Sequence, residues 1–307
     1  MSNEEEVVSE GSEGEDRVSK LEREVERLKA DVRNSSKEIK QTVEDLKKRI
    51  RERMSKIKYK IAVLSGKGGV GKTTVSVNLA YALAMREYKV GILDADIYGP
   101  DVPIALRIKD KTPKVQDNNI IPFEGPLGIK VMSIQFLLPE ETSPVIWMGP
   151  LVAKAIMQFL AQVEWGELDF LIIDLPPGTG DEVISIAKNI PDLTGMIVVV
   201  TPQKIALHDA KKAATMAKII GVPVLGIIEN MRGFRCPHCG KITYIFGSGG
   251  GEETAKILGI PFLGDLPLDA RVVELTDEGT PFIASGESEI SEKFMKIVDN
   301  LLKQLGA

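Results

Sequence analysis

The sequence predicts an α/β fold: a doubly wound, mostly parallel sheet preceded by a helical arm. From residue 59 onward, longer helical patterns alternate with six short apolar runs, KIAVLS, KVGILDA, IKVMSI, DFLIIDL, GMIVVVT and VPVLGIIEN. Runs that are apolar throughout are typical of strands buried on both faces of a parallel sheet. A glycine-rich loop follows the first run and leads into a helical pattern, which is the connection that such sheets use. We therefore expect a single α/β domain over residues 59–307.

The composition is that of a globular protein, with 43% hydrophobic and 27% charged residues in a chain of 307. No run of about 18 apolar residues occurs, and the acidic N-terminus has no apolar signal region, so we expect a cytoplasmic protein with no membrane partner. Two cysteines do not make a disulfide framework. In a reducing compartment they indicate metal binding or catalysis.

The first 58 residues divide by charge. Residues 1–16 carry seven acids and no base and contain few apolar groups, so we expect a disordered acidic tail. Residues 17–58 carry 15 bases and 8 acids and predict a helical arm with a coiled-coil seam. The seam comprises Val18, Leu21, Val25, Leu28 and Val32, and the stripe resumes as Ile39, Val43, Leu46, Ile50 and Met54.

Two further patterns in the arm bear on its structure and its partners. Ser35 and Glu38 have the spacing of a capping box and predict a break between two helices. The basic run KKRIRERMSKIK has no interleaved aromatic residues. Such a run is more typical of a solvated helix face than of a surface that binds nucleic acid or lipid. We therefore expect no nucleic-acid partner.

Residues 66–73, GKGGVGKT, match the phosphate-binding pattern G-x-x-x-x-G-K-[ST] in its required context, after a strand and before a helix that begins near Lys72. Backbone N–H groups of such a loop surround phosphate oxygens, and the helix N-terminus adds positive charge. We expect Lys72 to hold the β- and γ-phosphates and the Thr73 hydroxyl to ligate Mg²⁺. The predicted nucleotide-binding residues of this loop are Gly66, Lys67, Gly68, Gly69, Val70, Gly71, Lys72, Thr73 and Thr74.

Three aspartates are expected at the carboxyl ends of strands, where an open α/β sheet binds its ligand. Asp94 and Asp96 follow one strand, and Asp174 follows another. Asp174 fits the role of a carboxylate that accepts hydrogen bonds from Mg²⁺-bound water. For Asp94 and Asp96, a structural role in a turn or a helix cap is the alternative.

The second lysine of the loop, Lys67, goes beyond the general pattern. KGGVGKTT resembles the deviant Walker A motif of the P-loop ATPases that include MinD, ParA, the nitrogenase iron protein and the Mrp-type iron–sulfur carriers. The resemblance implies that Lys67 reaches the nucleotide of a partner subunit, and hence an ATP-bound homodimer. It also implies that Asp96 positions or deprotonates the attacking water and that Asp94 supports the metal shell. The turn PPGTGD is expected to sense the γ-phosphate, and the residues implied at the adenine are Asn230, Pro267 and Leu268.

The cysteine pair at 233–241, GFRCPHCGK, supplies two thiolate ligands, whereas zinc and [4Fe–4S] clusters each take four. If two subunits meet about a twofold axis near this loop, Cys236 and Cys239 of each complete a four-cysteine site. The Mrp-type carriers have such a site at this place, so the resemblance implies a bridging [4Fe–4S] cluster. A zinc site and a redox dithiol are the alternatives, and His238 is expected to be an exposed spectator.

Together these features predict a slow ATPase that carries an iron–sulfur cluster and transfers it to apo-proteins, as the resemblance implies. A spatial-positioning ATPase of the MinD or ParA kind is the main rival, and a zinc-stapled ATPase scaffold is a third possibility. The rival needs a terminal membrane helix or a DNA-binding face. We expect the last helix instead to pack on the sheet through Phe294, Ile297, Leu301 and Leu305.

Overall fold

The structure is a computed structural model that describes residues 5–108, 113–137 and 149–307. The chain divides into two compact units, Met1–Lys48 and Arg49–Ala307. The α-helices over the described residues are α1 Glu5–Met54, α2 Lys72–Ala84, α3 Val102–Ala105, α4 Gly149–Gln162, α5 Asp181–Asn189, α6 Lys204–Ile219, α7 Gly250–Leu258, α8 Ala270–Asp277 and α9 Glu289–Leu305. Short 3₁₀ helices span Pro126–Gly128, Ile134–Leu137 and Phe282–Ser285.

The second unit is built on an eight-stranded sheet of order β12-β9-β8-β1-β7-β2-β6-β5. All neighbours in it are parallel except β5 and β6. Two small antiparallel pairs, β3–β4 and β10–β11, lie outside this sheet. The strands are β1 Ile57–Leu64, β2 Val90–Asp94, β3 Lys114–Gln116, β4 Asn119–Ile121, β5 Phe123–Glu124, β6 Lys130–Ser133, β7 Leu168–Asp174, β8 Gly195–Val200, β9 Val224–Glu229, β10 Phe234–Arg235, β11 Ile242–Thr243 and β12 Phe262–Asp265.

The strand order places the polar ends of three strands together. From β1 the chain first adds β2 and β6 on one side, then returns through β7 to add β8, β9 and β12 on the other. Right-handed connections therefore put helices on both faces, and ligands of such sheets bind where the order reverses. In the register of the sheet, Asp174 at the end of β7 lies beside Val63 of β1 and Asp94 of β2.

All six apolar runs are strands of this sheet, so the predicted fold class is confirmed. Every residue of β2 and β8 is buried, as expected of strands that are covered on both faces. The sequence pattern missed β5 and β12, because each is at most four residues long and lies at an edge of the sheet. Strands this short give no recognisable periodicity.

Helix α1 differs from the sequence prediction in two places. It is helical from Glu5, where the sequence predicts a disordered tail, and residues 1–4 of that tail lie outside the described residues. It also continues without a break past Ser35. Residues 5–54 contain no proline and are rich in glutamate, lysine, arginine and leucine, which are good helix formers. A capping box therefore has no helix start to cap at Ser35.

The C-terminal end of α1 belongs to the second unit and is held there by two basic side chains. Arg53 donates to the carbonyl oxygen of Ala161 and forms an ion pair with Glu164 at 2.7 Å. The buried Lys60 donates to the carbonyl oxygens of Met54 and Ile57, which satisfies the end of the helix. Burial lowers the pKa of Lys60.

The last helix, α9, packs on β12 and β9 at one edge of the sheet. Its side chains Phe294, Ile297 and Leu301 are buried, as the sequence predicts. Its apolar face is therefore used within the chain. Across the described ranges, no helix combines the length and the hydropathy that a bilayer crossing requires.

Candidate nucleotide and cysteine sites

The phosphate-binding loop connects β1 to α2, and α2 begins at Lys72 as the sequence predicts. Gly69 and Gly71 adopt left-handed conformations, with φ of 75° and 84°. At Gly71 a side chain is also excluded by space, because a Cβ atom there would lie 2.3 Å from Nδ2 of Asn230. The same amide group donates a hydrogen bond to the carbonyl oxygen of Val70 at 2.9 Å. Asn230 thus fixes the end of the loop from a distance of 160 residues in sequence.

The charged groups of the loop and of the strand ends come together as expected. The Nζ atom of the buried Lys72 lies 2.9 Å from Oδ2 of Asp174 and 3.6 Å from Oδ2 of Asp96. The Thr73 hydroxyl donates to Oδ2 of Asp174 at 2.7 Å. Ser76, which the sequence pattern did not predict, donates to Oδ1 of the same carboxylate at 2.6 Å. The sequence feature that could have indicated Ser76 is its position one helical turn after Lys72, on the same face of α2.

Asp94 is fully buried beside this cluster. Its carboxylate accepts hydrogen bonds from the Ser133 hydroxyl and from the backbone N–H of Asp96. Burial, reinforced by the nearby charge of Asp174, raises the pKa of Asp94 well above its usual range. Burial also raises the pKa of Asp96.

The cluster has the chemistry of a magnesium site. Three carboxylates lie around the single positive charge of Lys72, which leaves an excess of negative charge in a buried place. A divalent cation compensates such an excess, and the Thr73 hydroxyl beside the Asp174 carboxylate provides the hard oxygen ligands that Mg²⁺ prefers. The residues present therefore fit the ion.

The turn PPGTGD at 176–181 lies against the phosphate-binding loop. The backbone N–H of Gly178 donates to the carbonyl oxygen of Ser65 at 2.8 Å, and Gly178 has a φ of 100°. The turn leads into α5, which begins at Asp181. Sensing of a γ-phosphate by this turn stays a prediction.

Lys67 extends from the loop toward a different partner. Its Nζ atom donates to Oε1 of Gln203 at 3.0 Å, next to the start of α6. The same helix packs against the loop, since a Cβ atom at Gly66 would lie 2.2 Å from Cβ of Asp209. Within one chain, Lys67 is therefore separate from the Lys72 cluster. Its predicted role across a dimer stays a prediction.

Beside the loop lies a cavity of about 200 Å³ that is lined mainly by apolar side chains. It brings together five residues predicted from the sequence: Gly71, Thr74, Asn230, Pro267 and Leu268. Its mainly apolar lining, with a few polar groups, suits a heteroaromatic ring. The sequence pattern did not predict the wall that comes from α8 and from segments on either side of it, which adds Met231, Leu266, Asp269, Val272, Val273, Thr276, Asp277, Phe282 and Ile290.

The cysteine pair forms the tip of the β10–β11 hairpin. The backbone N–H of Cys236 donates to the carbonyl oxygen of Lys241, and the N–H of Gly240 donates back to that of Cys236. Cys236 is half-buried and Cys239 is exposed, and both thiols are free. Backbone N–H groups of Cys239 and His238 point at the Cys236 sulfur and lower the pKa of its thiol.

This geometry favours metal binding over the redox alternative. Two thiols presented by a tight hairpin, one of them stabilised as thiolate, are typical of metal knuckles, whereas a redox dithiol opens a helix. In the part of the chain that the structure describes, no three His, Cys, Asp or Glu side chains form a metal site. The described part of one chain therefore provides half of a four-ligand site.

The hairpin is connected directly to the cavity wall. The N–H of Arg232 donates to the carbonyl oxygen of Leu266, and the N–H of Leu268 donates to that of Gly233. A β-bridge also joins Phe234 to Leu268. The strand that leads to Cys236 is thus bonded to the segment that lines the cavity.

A mostly parallel sheet with a phosphate-binding loop at the reversal of its strand order defines the class of P-loop NTPases. The family model "ParA: NUBPL iron-transfer P-loop NTPase" matches residues 56–302. The chain belongs to this family.

Relatives of the chain carry names that agree with the family. The chain is 51% identical over 247 residues to the iron-sulfur cluster carrier protein of Methanocaldococcus jannaschii, covering 80% of this chain and 85% of that protein. It is 45% identical over 247 residues to the Arabidopsis thaliana iron-sulfur protein required for NADH dehydrogenase, mitochondrial, covering 80% and 78%. The predicted resemblance to iron–sulfur carriers is confirmed.

Solved structures resemble the same part of the chain. The nucleotide-binding protein from Archaeoglobus fulgidus, solved in complex with ADP, is 43% identical with a TM-score of 0.71, covering 81% of this chain and 96% of that one. The cell division ATPase MinD of Pyrococcus furiosus is 23% identical with a TM-score of 0.58, covering 80% and 99%. The likeness to MinD shows the fold alone.

Proposed function

We propose that this protein is an ATP-hydrolysing homodimer that binds one [4Fe–4S] cluster between the hairpins of its two subunits and transfers it to apo-proteins. The observation that carries the proposal is the exposed hairpin with Cys236 and Cys239, which supplies two of the four thiolates that a cluster takes. A twofold axis at the hairpin tip supplies the other two. Membership of an iron-transfer family supports iron rather than zinc as the metal.

The nucleotide is ATP with Mg²⁺, bound by the loop, the carboxylate cluster and the cavity. Lys72 holds the β- and γ-phosphates, and its contacts with Asp96 and Asp174 support this role, since they place its charge beside the residues proposed to hold the Mg²⁺ and the attacking water. Thr73 and Asp174 hold the Mg²⁺, which neutralises phosphate charge when bound. The adenine lies in the apolar cavity between Asn230 and Leu268.

Hydrolysis requires a group that positions water at the γ-phosphate. Asp96 suits this role, because it is near Lys72 and its raised pKa makes it a better base than an ordinary aspartate. Lys67 is supplied by the partner subunit and completes the site. Its position on the outer side of the loop, beside the exposed Gly68, supports this assignment. Turnover is slow unless the dimer is assembled.

Nucleotide and cluster are coupled through the backbone bonds between hairpin and cavity wall. A ligand that moves the segment at Leu266 and Leu268 also moves the start of the hairpin at Gly233 and Phe234, because backbone hydrogen bonds and a β-bridge join them. Coupling of this kind requires two dimer arrangements that hold the cluster with different free energies. The ATP-bound and ADP-bound dimers are those two arrangements.

The iron part of the proposal is tested by anaerobic reconstitution with iron and sulfide. We expect the wild type to bind about four irons per dimer, as one four-cysteine cubane requires. Cys236→Ser or Cys239→Ser abolishes stable binding, while His238→Ala, at the exposed residue between them, retains it. Zinc instead of iron in protein purified without oxygen, or iron that survives loss of either thiol, contradicts the proposal.

The dimer part is tested by complementation between two inactive variants. Under the proposal, Lys67→Ala inactivates the nucleotide site of the partner subunit. Lys72→Ala inactivates the nucleotide site of the subunit that carries it. If Lys67 acts across the interface, a mixed dimer has one complete site. Co-expression in equal amounts then gives about a quarter of the wild-type hydrolysis rate, because about half of the dimers are mixed. If both lysines act within one chain, the mixture stays inactive.

A further inference from the structure

Helix α1 carries an apolar stripe that is exposed from Val25 to Val43. Val25, Leu28 and Val32 are 47%, 58% and 65% exposed, and the stripe continues through Ile39 and Val43 at 64% and 39%. Large apolar side chains in a row along one helix face are an interaction surface. The unit Met1–Lys48 has, among its described residues, only α1 itself, so nothing within that unit covers the stripe.

The same helix shows what a covered stripe looks like. Ile50 and Met54, in the part of α1 that belongs to the second unit, are 2% and 0% exposed. The stripe thus has one portion that is used within the chain and one portion that is not. The unused portion spans about 27 Å from Val25 to Val43, at about 1.5 Å per residue.

We propose that this unused portion pairs with the same portion of a second copy of the chain, within a parallel two-stranded coiled coil that extends over residues 18–46. By sequence, valine occupies the a positions 18, 25 and 32, and leucine occupies the d positions 21 and 28. A β-branched residue at a with leucine at d favours parallel dimers over higher oligomers. Ile39 continues the a positions one heptad after Val32, and the step of four residues from Ile39 to Val43 changes the register, which locally alters the winding of the pair.

Charges on either side of the seam fit the parallel, in-register arrangement. In that arrangement a g residue of one copy faces the e residue of the next heptad in the other copy. Glu24 at g faces Lys29 at e, and this pair of opposite charges occurs twice in the dimer. Within one helix, Lys29 bonds to Glu26 at 3.1 Å, with both side chains more than half exposed. An exposed pair of this kind is weak and gives way easily to the pairing between copies.

The parallel direction also agrees with the proposed function, on which this step rests. Each α1 continues at Arg49 into its P-loop unit. A parallel pair therefore starts both P-loop units from the same end, whereas an antiparallel pair would start them about 40 Å apart, given the length of residues 18–46. A four-cysteine site shared by two hairpins needs the units near each other. The coiled coil holds the two P-loop units at an effective concentration of about a millimolar, even after the shared cluster has been transferred to an apo-protein.

The test is the mass of the full-length protein by analytical ultracentrifugation, with a chelator and without nucleotide or iron. We expect the wild type to be a dimer at micromolar concentration. The triple variant Val25→Ala, Leu28→Ala, Val32→Ala weakens the dimer at least about 100-fold, since it removes three pairs of packed side chains. Alanine preserves the helix.

The matched control has three alanines on the same stretch of α1 but outside the seam, at Glu26, Arg27 and Arg33, and it stays dimeric. Direction is read by a Leu28→Cys variant in the Cys236→Ser, Cys239→Ser background, which oxidises to a disulfide-linked dimer if the helices are parallel and in register. A monomeric wild type, a seam variant that stays dimeric, or no cross-link overturns the proposal. If the protein is a dimer in the presence of chelator but binds no iron in the later reconstitution, the coiled coil is supported and the proposed iron–sulfur function is contradicted.

Discussion

The phosphate-binding site and the cysteine hairpin differ in how much of each a single chain supplies. At the phosphate site, the buried Lys72 contacts two carboxylates and Asp174 accepts from two hydroxyls, so the chain itself supplies partners for these groups and leaves an excess of negative charge for a cation. The hairpin has two thiols at the surface and half of a ligand set. A buried site must satisfy its polar groups internally, whereas an exposed one can leave them to a partner. We therefore expect one chain to supply most of the first site, and two chains to share the ligand of the second.

The largest expected effect separates the two sites. Lys72→Ala removes the positive charge that contacts Asp96 and Asp174, so the rate of ATP hydrolysis falls about 10²–10³-fold, as for loss of one charge-stabilising group. Iron binding in the anaerobic reconstitution stays unchanged, because the hairpin is formed by other residues. Phosphate release and iron content are measured on the same preparation.

Lys303→Ala, at an exposed lysine of α9, is the control and changes neither quantity. Loss of iron binding together with hydrolysis in Lys72→Ala would mean that the two sites are not separable.

A smaller effect is expected from strain at the base of the hairpin. Gly233 has a φ of 76°, and a Cβ atom there would lie 3.1 Å from Ile242 and 3.2 Å from Tyr244. Gly233→Ala adds about 1–2 kcal/mol of backbone strain to the conformation that holds the cluster. The cluster is then lost to a chelator about tenfold faster, measured from its visible absorbance.

Gly221→Ala is the matched control, since Gly221 has a φ of 75° and open space around it, and it precedes β9 whereas the hairpin follows β9. It strains the backbone equally and leaves the rate of cluster loss unchanged. Equal rates in the two variants would show that local geometry at Gly233 does not matter.

The smallest effect concerns the balance of charge at the phosphate site. Because burial raises the pKa of Asp94 above its ordinary value of 3.8, the folded protein binds more protons than the unfolded chain. The free energy of unfolding therefore falls as pH rises from 3.8 toward the folded-state pKa. Asp94→Asn has no carboxyl group at this position, so this decrease in the free energy of unfolding does not occur in the variant. In the presence of a chelator its melting temperature at pH 8 exceeds that of the wild type by about 2–4 °C for each kcal/mol gained.

The advantage of Asp94→Asn shrinks as the pH is lowered toward 5, where the wild-type carboxyl is more protonated. Asp299→Asn, at an exposed position of α9, serves as the control and changes the melting temperature little at either pH. A lower melting temperature for Asp94→Asn at pH 8 would mean that the charge of this carboxylate stabilises the fold.

Much of the fold and of the site could be predicted from the sequence, because both depend on local patterns. The loop at 66–73 is continuous, so its match identified Lys72, Thr73 and the start of α2. The strand ends indicated Asp94, Asp96 and Asp174, since parallel strands present their carboxyl ends at one edge. The prediction for residues 5–16 was wrong because local composition alone does not decide between a solvated helix and disorder.

Contacts between distant segments could not be predicted in this way. The cavity wall from α8 has no motif, since apolar side chains that line a pocket look like any other amphipathic helix. The hydrogen bonds from Arg232 and Gly233 to Leu266 and Leu268 join backbone atoms. Every residue has these atoms, so the side-chain sequence does not reveal the pairing. Ser76 was missed because a serine inside a helix is common, and only the fold brings Asp174 to it.

Residue types and their spacing were enough to predict the chemistry of this protein, from a phosphate-binding loop with two lysines, three strand-end aspartates and a close pair of thiols. Each of these is a short run whose function follows from its own residues. The folded chain was needed to learn that the cavity wall and the cysteine hairpin are bonded to each other, and that one portion of the α1 stripe is buried while another is exposed. Burial and backbone pairing depend on which distant segments meet, and spacing along the chain does not specify that meeting.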